Sequence, residues 1–278
     1  MDSKKDLNNI MNAASQTPSG ADIGETLVER DGPVTILKLN YPKRRNALSL
    51  PLRASLIDAL TAALADDTCR VIVLTGEGGH FCSGGDISSF EGITPAAGRS
   101  RMRRAHGLIR LITQSDKPVI AAVEGHAAGA GMCIAADCDI VVSAADAKFS
   151  CTFNKIGLLP DLGGLWSIPL RVGIGQAKKL MFTGRMIDGN QALALGLADE
   201  VCESGKALET AVAMGHEIAR VSPISNGMVK AALSQAPLSL EDVLATEVNG
   251  QGLLYGTEDF QEGKKAFFEK RPPQFKGN

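Results

Sequence analysis

What the sequence lacks already excludes several classes of protein. The 278 residues carry a formal net charge of only −2, so there is no general electrostatic attraction to nucleic acid or to anionic membranes. No apolar run reaches about 18 residues without a charge, so no membrane-spanning helix is expected. The N-terminus, with Lys4 and Lys5, has no apolar segment of signal-peptide length. These absences predict a protein without nucleic-acid or membrane partners.

The cysteines also lack an arrangement that would indicate a special role. None of the six belongs to a CxxC pair, and none has histidine partners at metal-ligand spacing. Most stand in apolar contexts, where free cysteine behaves as a small hydrophobic residue. We therefore expect reduced thiols, no metal site and a cytoplasmic location.

The sequence does contain an alternation of strand-like and helix-like segments. Short apolar runs with β-branched residues predict buried strands at 33–40, 70–76, 117–125 and 138–144. Helices are predicted at 50–67 and at about 95–114, and the small-residue segment 128–137 predicts a short buried helix. This alternation is typical of parallel βαβ units. After about residue 160 the pattern is mainly helical.

Two glycine-rich loops follow two successive predicted strands. They are GEGGHFCSGGD at 76–86 and EGHAAGAGM at 124–132. Small residues let a ligand approach backbone N–H groups, and the second loop opens a helix with a positive dipole end. The second loop lacks the third glycine of GxGxxG, and the GxxxxGK[ST] phosphate motif is absent. An anion site is one interpretation, and tight turns that serve packing alone are the other.

Six motifs in order make the chain resemble the crotonase family, also called the enoyl-CoA hydratase/isomerase superfamily. They are NAL (46–48), FCSGGDI (81–87), AAVEGHAAGAGMCIAADCDI (121–140), GLLPDLGGLWSIPLRVG (157–173), FTGRMIDGNQALALGLADEV (182–201) and EGKKAFFEKRPPQFKG (262–277). The resemblance implies an α/β fold, the ClpP-like crotonase spiral of ββα units, with a C-terminal helical region for trimerisation. We expect a flexible extension at 1–24, the spiral core at 25–205 and the helical region at 206–278. A homotrimer or a dimer of trimers is expected.

The resemblance also implies that the loops stabilise an anion made in the reaction, a thioester enolate. By position in the motifs, the backbone N–H groups of Gly85 and Ala130 donate to the acyl-CoA carbonyl oxygen. Donors fixed in advance stabilise charge that develops only when an α- or γ-proton leaves. Coenzyme A is then part of the substrate, and no permanently bound cofactor is expected.

Further positions match the family's contacts to coenzyme A. These are Arg44, Arg45, Ala47, Ser83, Asp86, Ile87, Phe267 and Lys270. Arginine suits the phosphates because its guanidinium binds them in a bidentate manner. The resemblance implies that Phe267 and Lys270 reach the coenzyme A of a neighbouring subunit. The basic run at 99–106 predicts an exposed helix face, with contact to coenzyme A or to an acidic substrate as the alternative.

The chain departs from the enoyl-CoA hydratase pattern at two positions. Where hydratases have their two glutamates, this sequence has Cys133 and Phe153. Addition of water needs a group that activates the oxygen and a route for a proton to the α-carbon. Neither side chain supplies these functions.

A different acid, Asp161, stands immediately before a predicted helix start at Gly163–Gly164. Related 1,2-epoxyphenylacetyl-CoA isomerases, dienoyl-CoA isomerases and 4-chlorobenzoyl-CoA dehalogenases have a catalytic aspartate here, and the segment looks most like the first of these. Apolar neighbours Leu159, Leu162 and Phe153 predict a raised pKa for Asp161. A helix N-cap is the structural alternative.

These observations predict an acyl-CoA isomerase that shifts a proton and a double bond through a stabilised enolate, with Asp161 as the base. Two alternatives stay open. One is an enoyl-CoA hydratase or acyl-CoA hydrolase that uses another acid, such as Glu91 in the loop after the first glycine-rich segment. The other is a non-catalytic acyl-CoA-binding relative that kept the pocket and lost the acids.

Overall fold

The computed structural model describes residues 23–235 and 238–278, so most of the predicted extension at 1–24 lies outside the described residues. The strands are β1 (Glu25–Asp31), β2 (Val34–Asn40), β3 (Val71–Gly76), β4 (Val119–Val123), β5 (His126–Ala128), β6 (Ile140–Ala144), β7 (Lys148–Ser150), β8 (Met186–Asp188) and β9 (Glu200–Cys202). The helices are α1 (Leu50–Ala65), α2 (Pro95–Thr113), α3 (Ala130–Asp137), α4 (Gly164–Thr183), α5 (Gly189–Leu195), α6 (Ala207–Ala219), α7 (Pro223–Leu233), α8 (Leu240–Leu254) and α9 (Glu258–Glu269). The division of the chain at residue 205 stays a prediction.

Six strands form the main sheet in the order β1-β2-β3-β4-β6-β9. Its neighbours from β2 to β9 are parallel, as the alternation of strands and helices predicted. Strand β1, which was not predicted, pairs antiparallel with β2. Its sequence ETLVERD is a partly exposed edge strand and lacks the apolar run that marks the others. Strands β5, β7 and β8 form a second, smaller sheet.

Side chains of the main sheet alternate between two hydrophobic cores, because successive residues of a strand point to opposite faces. In β3, Ile72 and Leu74 face the larger core, which also contains buried residues of α1, α2 and α3. Val71 and Val73 face the second core, which α6 covers. Burial on both faces explains the continuous apolar runs of the parallel strands.

The short helix α3 is buried along its whole length, as its small residues predicted. Gly131 shows why small residues are needed, because a Cβ atom added there would collide with the carbonyl oxygen of Cys82. The helix thereby lies directly against the first glycine-rich loop.

All six cysteines are free thiols, and only Cys202 is not buried. Within residues 23–235 and 238–278, no helix has the length and apolar character to cross a bilayer. No group of three or more histidine, cysteine, aspartate or glutamate side chains in the same part of the chain could hold a metal ion.

The last residue of α3, Asp137, is a buried acid that the sequence did not single out. It is 5 % exposed, and neither carboxyl oxygen has a hydrogen-bond partner among the described residues. Burial raises the pKa of Asp137 to about 8, although the nearby Ser167 hydroxyl and, to a smaller extent, the charge of Arg171 oppose this shift. The carboxyl group is therefore largely protonated at neutral pH.

We expect Asp137 to make the fold less stable as the pH rises. An unfolded chain releases this proton near the ordinary pKa of about 3.9, whereas the folded chain holds it up to about pH 8. The free energy of unfolding therefore falls across that window. In Asp137→Asn the fall in melting temperature between about pH 5 and pH 8 should be smaller than in the parent, as measured by calorimetry. Asp58→Asn, an exposed change on α1, is the control, and parallel profiles for the parent and Asp137→Asn would contradict the expectation.

Candidate active site

The two glycine-rich loops lie side by side beyond the ends of β3 and β4, which are parallel neighbours. The N–H of Cys82 donates to the carbonyl of His126 at 2.9 Å, and the carbonyl of Cys82 accepts from the N–H of Ala128, also at 2.9 Å. The N–H of Gly129 donates to the carbonyl of Ser150 at 2.8 Å. The loops are thus joined by main-chain hydrogen bonds, which fix one relative to the other.

The amides of Gly85 and Ala130 lie at this junction. Ala130 is the first residue of α3, so its N–H has no carbonyl one turn earlier within the helix. Within the described residues, neither amide donates to another loop or turn, although the neighbouring carbonyl of Gly84 accepts from Leu48 at 2.7 Å. A Cβ atom added to Gly84, whose φ is +112°, would lie 3.7 Å from the Ala130 nitrogen. The glycine therefore permits the close approach of the two amide-bearing segments.

A cavity of about 80 Å³ brings Gly85, Ala130 and Asp161 together. Its lining residues come from the two loops, the 3₁₀ turn after the first loop, the turn that follows β7, and the segment before α4. They are Ser83, Gly84, Gly85, Ile87, Phe90, Gly129, Ala130, Thr152, Phe153, Ile156, Leu158 and Asp161. The cavity combines two backbone donors and one acid within mostly apolar walls.

Asp161 is an acid that the surrounding protein partly shields from solvent. Its Oδ1 atom is buried and has no hydrogen-bond partner in the described part of the chain. Burial raises the pKa of Asp161, while the positive charges of Arg101 and Arg53 lower it in part. The predicted rise in the pKa of Asp161 is confirmed. The N-cap alternative is wrong, because α4 begins at Gly164 with Gly163 at the N-cap position.

Two successive left-handed residues turn the chain between Asp161 and α4. Gly163 has φ of 77°, and Leu162 has φ of 45°, which is uncommon for a residue with a side chain. Leu162 is 4 % exposed, and its burial in the larger core holds this conformation. The prediction that Leu159 also shields Asp161 is wrong for this chain, since Leu159 is 70 % exposed.

The positions of the missing hydratase glutamates are occupied by groups that cannot activate water. Cys133 is fully buried, and its Sγ atom lies where a Cβ atom on Gly164 would be placed. Burial raises the pKa of the Cys133 thiol well above its ordinary value, so it stays protonated. Phe153 lines the cavity with its ring. The cavity wall has no carboxylate at either place.

Four residues predicted to contact coenzyme A are joined at the base of the first loop. Ser83 donates to the carbonyl of Arg45 from its N–H, and to the carbonyl of Arg44 from its hydroxyl, both at 2.9 Å. The N–H of Ala47 donates to the carbonyl of Arg44 at 3.1 Å. The structure therefore brings Arg44, Arg45, Ala47 and Ser83 beside the cavity.

The other four predicted contacts divide into two groups. Asp86 follows Gly85 directly and caps a short 3₁₀ turn by accepting from the N–H of Ser88 at 3.1 Å. Ile87 lines the cavity and is largely exposed. Phe267 and Lys270 belong to the end of α9 and do not line the cavity of their own chain. Their expected contact with a neighbouring subunit stays a prediction.

Asn46 organises this region and was not assigned a role from the sequence. It is completely buried, and its amide nitrogen donates to the carbonyls of Glu77 at 2.8 Å and His80 at 2.6 Å. Its Oδ1 accepts from the N–H of Tyr41 at 2.8 Å. One side chain thus fastens the arginine-bearing segment to the first glycine-rich loop. In the sequence, Asn46 is the first residue of the motif NAL. The family resemblance includes this motif but assigns no structural role to the asparagine.

The remaining acids and histidines near the loops lie outside the cavity. Glu91 is exposed and does not line it. Glu124 accepts from the amides of Gly205 and Ala207 at the start of α6, at 3.2 and 2.9 Å. His80 and His126 contact each other edge to face, with ring centroids 5.0 Å apart. The contacts of Glu124, His80 and His126 therefore stabilise the fold, and none of these side chains lines the cavity.

The basic segment of α2 is only partly the exposed face that the sequence predicted. Arg103 and Arg104 are exposed, but Arg101 is 7 % exposed and stacks over the Phe90 ring at 4.7 Å from its centroid. Arg53 of α1 is also buried, at 8 % exposed. Two guanidinium groups close to the cavity were therefore missed.

Comparison with known proteins identifies the family of this chain. A model of the family described as enoyl-CoA hydratase/isomerase matches residues 29–278. The 1,2-epoxyphenylacetyl-CoA isomerase of Escherichia coli K12 is 36% identical over 88% of this chain and 95% of its own length. The 2,3-dehydroadipyl-CoA hydratase of the same organism is also 36% identical, over 92% of this chain and all of its own length.

A solved structure of an enoyl-CoA hydratase from Polaromonas sp. JS666 superposes with a TM-score of 0.87. It is 34% identical, and the match covers 91% of this chain and 100% of that one. These relatives include both a hydratase and an isomerase. With its α/β crotonase fold, this chain belongs to the enoyl-CoA hydratase/isomerase family, which acts on CoA thioesters.

Proposed function

We propose that the protein is an acyl-CoA isomerase, in which Asp161 moves a proton along the acyl chain of a CoA thioester. The observation that carries this proposal is the composition of the cavity. Gly85, Ala130 and Asp161 line it together, whereas Cys133 and Phe153 stand where hydratases carry glutamates. One acid is enough for a proton shift, because it can remove the proton and return it elsewhere.

The proposed reaction starts from a 3-enoyl thioester whose carbonyl oxygen accepts from the N–H groups of Gly85 and Ala130. The Asp161 carboxylate takes a proton from C2, and the electron pair of the broken C–H bond delocalises to the thioester oxygen. The two amides stabilise this enolate more than the ground state. Protonated Asp161 then returns the proton at C4, and the double bond moves to C2–C3.

The electrostatics of Asp161 suit both halves of this cycle. A base is most effective when its pKa lies near the working pH, and burial moves the pKa of Asp161 in that direction. The positive charges of Arg101 and Arg53 oppose this rise in pKa and so favour the carboxylate form that the base needs. Apolar lining residues such as Phe153 and Phe90 exclude water that would otherwise protonate the enolate.

We extend the proposal to substrate binding and assembly. Arg44 and Arg45 would bind the phosphates of coenzyme A, with Ser83, Asp86 and Ile87 around the adenine. The exposed apolar residues of the C-terminal helices support a trimer, since such surfaces mark interaction sites; they are Leu240, Leu244, Val248, Leu253, Phe267 and Phe268. Phe267 and Lys270 would then reach a neighbouring subunit's coenzyme A. Free thiols fit a reducing compartment such as the cytoplasm.

A screen of acyl-CoA thioesters with mass detection tests the reaction type. We expect 3-enoyl or ring-bearing thioesters to be converted to products of unchanged mass and different retention, because isomerisation adds nothing. Products heavier by one water would identify a hydratase, and release of free coenzyme A would identify a hydrolase.

Crotonyl-CoA provides the complementary measurement. It already carries the C2–C3 double bond, so we expect its enone absorbance to persist after the protein is added. Rapid loss of that absorbance would show hydration and would contradict the argument from Cys133 and Phe153. Binding of thioesters without conversion of any would favour the non-catalytic alternative.

A further inference from the structure

Two arginine side chains with little exposed surface lower the pKa of Asp161 by their charge, and neither forms an ion pair with it. Arg53 and Arg101 are 8 % and 7 % exposed. No ion pair of either side chain with an acid is found within residues 23–235 and 238–278. Burying a charge is costly unless it is paired. Asp161 raises the pKa of both arginines and Asp86 raises that of Arg101, but these acids act from beyond ion-pair distance.

Arg101 connects this charge to the cavity. Its guanidinium stacks on the Phe90 ring at 4.7 Å from the centroid, and Phe90 lines the cavity. It donates to the hydroxyl of Ser89 at 2.8 Å and to the carbonyl of Ser89 at 3.3 Å. Both partners are neutral, so these bonds hold the guanidinium in place without an ion pair. The charges of Asp161 and Asp86 act on Arg101 from a longer distance and raise its pKa in part.

Arg53 extends the same positive region from the neighbouring helix α1. No hydrogen bond from its guanidinium is found in the described part of the chain, so its N–H donors are available. Burial lowers the pKa of Arg53, the positive charges of Arg101 and Arg104 lower it further, and Asp161 raises it. Asp161 therefore acts on both arginines and Asp86 raises the pKa of Arg101 as well, but neither acid forms an ion pair with Arg53 or Arg101.

The position of Arg53 and Arg101 relative to Asp161 indicates which part of a bound ligand would contact the two guanidinium groups. Asp161 acts on the acyl carbons in the proposed reaction, whereas Arg44 and Arg45 stand beside Ser83 at the other segment of the cavity wall. A group that approaches Arg53 and Arg101 is thus carried by the acyl chain rather than by the phosphates of coenzyme A. A carboxylate matches the planar, bidentate geometry of guanidinium.

We propose that Arg53 and Arg101 form a carboxylate-binding subsite beside Asp161 and Phe90, and that the preferred substrates are CoA thioesters whose acyl chain ends in a carboxylate. This inference rests on the proposed function only in taking the cavity as the acyl-CoA site. The subsite selects substrates by charge, because a neutral chain end leaves both guanidinium groups buried and unpaired.

Binding of unreactive thioesters tests the subsite independently of turnover. Isothermal titration calorimetry would compare hexanoyl-CoA with hexanedioyl-CoA, which differ only in the terminal carboxylate, together with shorter and longer matched pairs. We expect at least one dicarboxylic member to bind about tenfold more tightly than its neutral partner, which corresponds to about 1.4 kcal/mol. Equal or weaker binding of every dicarboxylic member would overturn the proposal.

Variants identify the residues responsible. Arg53→Met and Arg101→Met should each reduce the preference for the dicarboxylic partner, while affinity for the neutral partner changes little. Arg53→Lys keeps the charge and should keep part of the preference. Arg103→Met removes an exposed charge from the same helix as Arg101 and should keep all of it. A preference that survives both methionine variants, with melting temperatures showing that they are folded, would refute the assignment.

The outcomes separate this inference from the proposed reaction. If the protein prefers dicarboxylic thioesters but isomerises no thioester, the subsite is supported and the isomerase activity is refuted. If the protein isomerises thioesters but shows no preference within any pair, the isomerase activity is supported and the subsite is refuted. Failure of every thioester to bind would overturn both.

Discussion

Asp161→Asn is expected to lower the kcat of isomerisation by about 10²–10⁴-fold, the usual contribution of a positioned acid or base. Asparagine fills the same volume but cannot accept and return the proton. The cavity and both amide donors stay in place, so affinity for an unreactive CoA thioester should change only a few-fold. Single-turnover kinetics and calorimetric titration of the same preparation measure the two effects separately.

Glu91→Gln is the matched control for this experiment. It makes the same acid-to-amide change on an exposed residue that does not line the cavity, and turnover should be unaffected. Unchanged turnover in Asp161→Asn would remove Asp161 from the mechanism. Loss of activity in Glu91→Gln instead would support the hydratase or hydrolase alternative.

Ala130→Pro is expected to lower turnover by about 10²–10³-fold, because it deletes a backbone donor that no ordinary side-chain change can remove. Loss of one oxyanion donor typically raises the barrier by about 2.7–4 kcal/mol. Ala130 is the first residue of α3, where proline is well tolerated, since the N–H there has no intrahelical partner. The fold should therefore survive, and the effect should appear in kcat.

Ala130→Gly controls for the change of side chain, because it keeps the N–H group. We expect its turnover to remain within a few-fold of the parent. A similar loss in both variants would mean that the Ala130 side chain, rather than its amide, matters. Full activity in Ala130→Pro, with a cooperative melting transition near that of the parent, would exclude this amide as a donor.

The sequence predicted the elements that depend on local pattern. The parallel strands and the buried helix α3 could be predicted because buried segments need continuous apolar runs or small residues. Strand β1 was missed because an edge strand buries little and carries charged residues. The raised pKa of Asp161 followed from its apolar neighbours, although Leu159, one of the three named, is exposed.

Features that depend on long-range packing could not be predicted. Arg53 and Arg101 lie 48 positions apart on two helices, and Arg101 stands in a basic run that is typical of an exposed helical face. Only the packing of α1 against α2 buries both. Asp137 escaped notice for the same reason, since a helix-terminal aspartate is usually exposed and here lies behind the turn at Gly163.

The buried Oδ1 atom of Asp161 has a stereochemical consequence. A single acid on one wall can reach only one face of the extended acyl chain, so abstraction and delivery of hydrogen are suprafacial. Because no partner in the described residues relays the proton away from that oxygen, deuterium taken from C2 should return at C4 in competition with solvent exchange. The fraction of label retained in the product is thus a direct measure of how well the cavity isolates one carboxyl group from solvent.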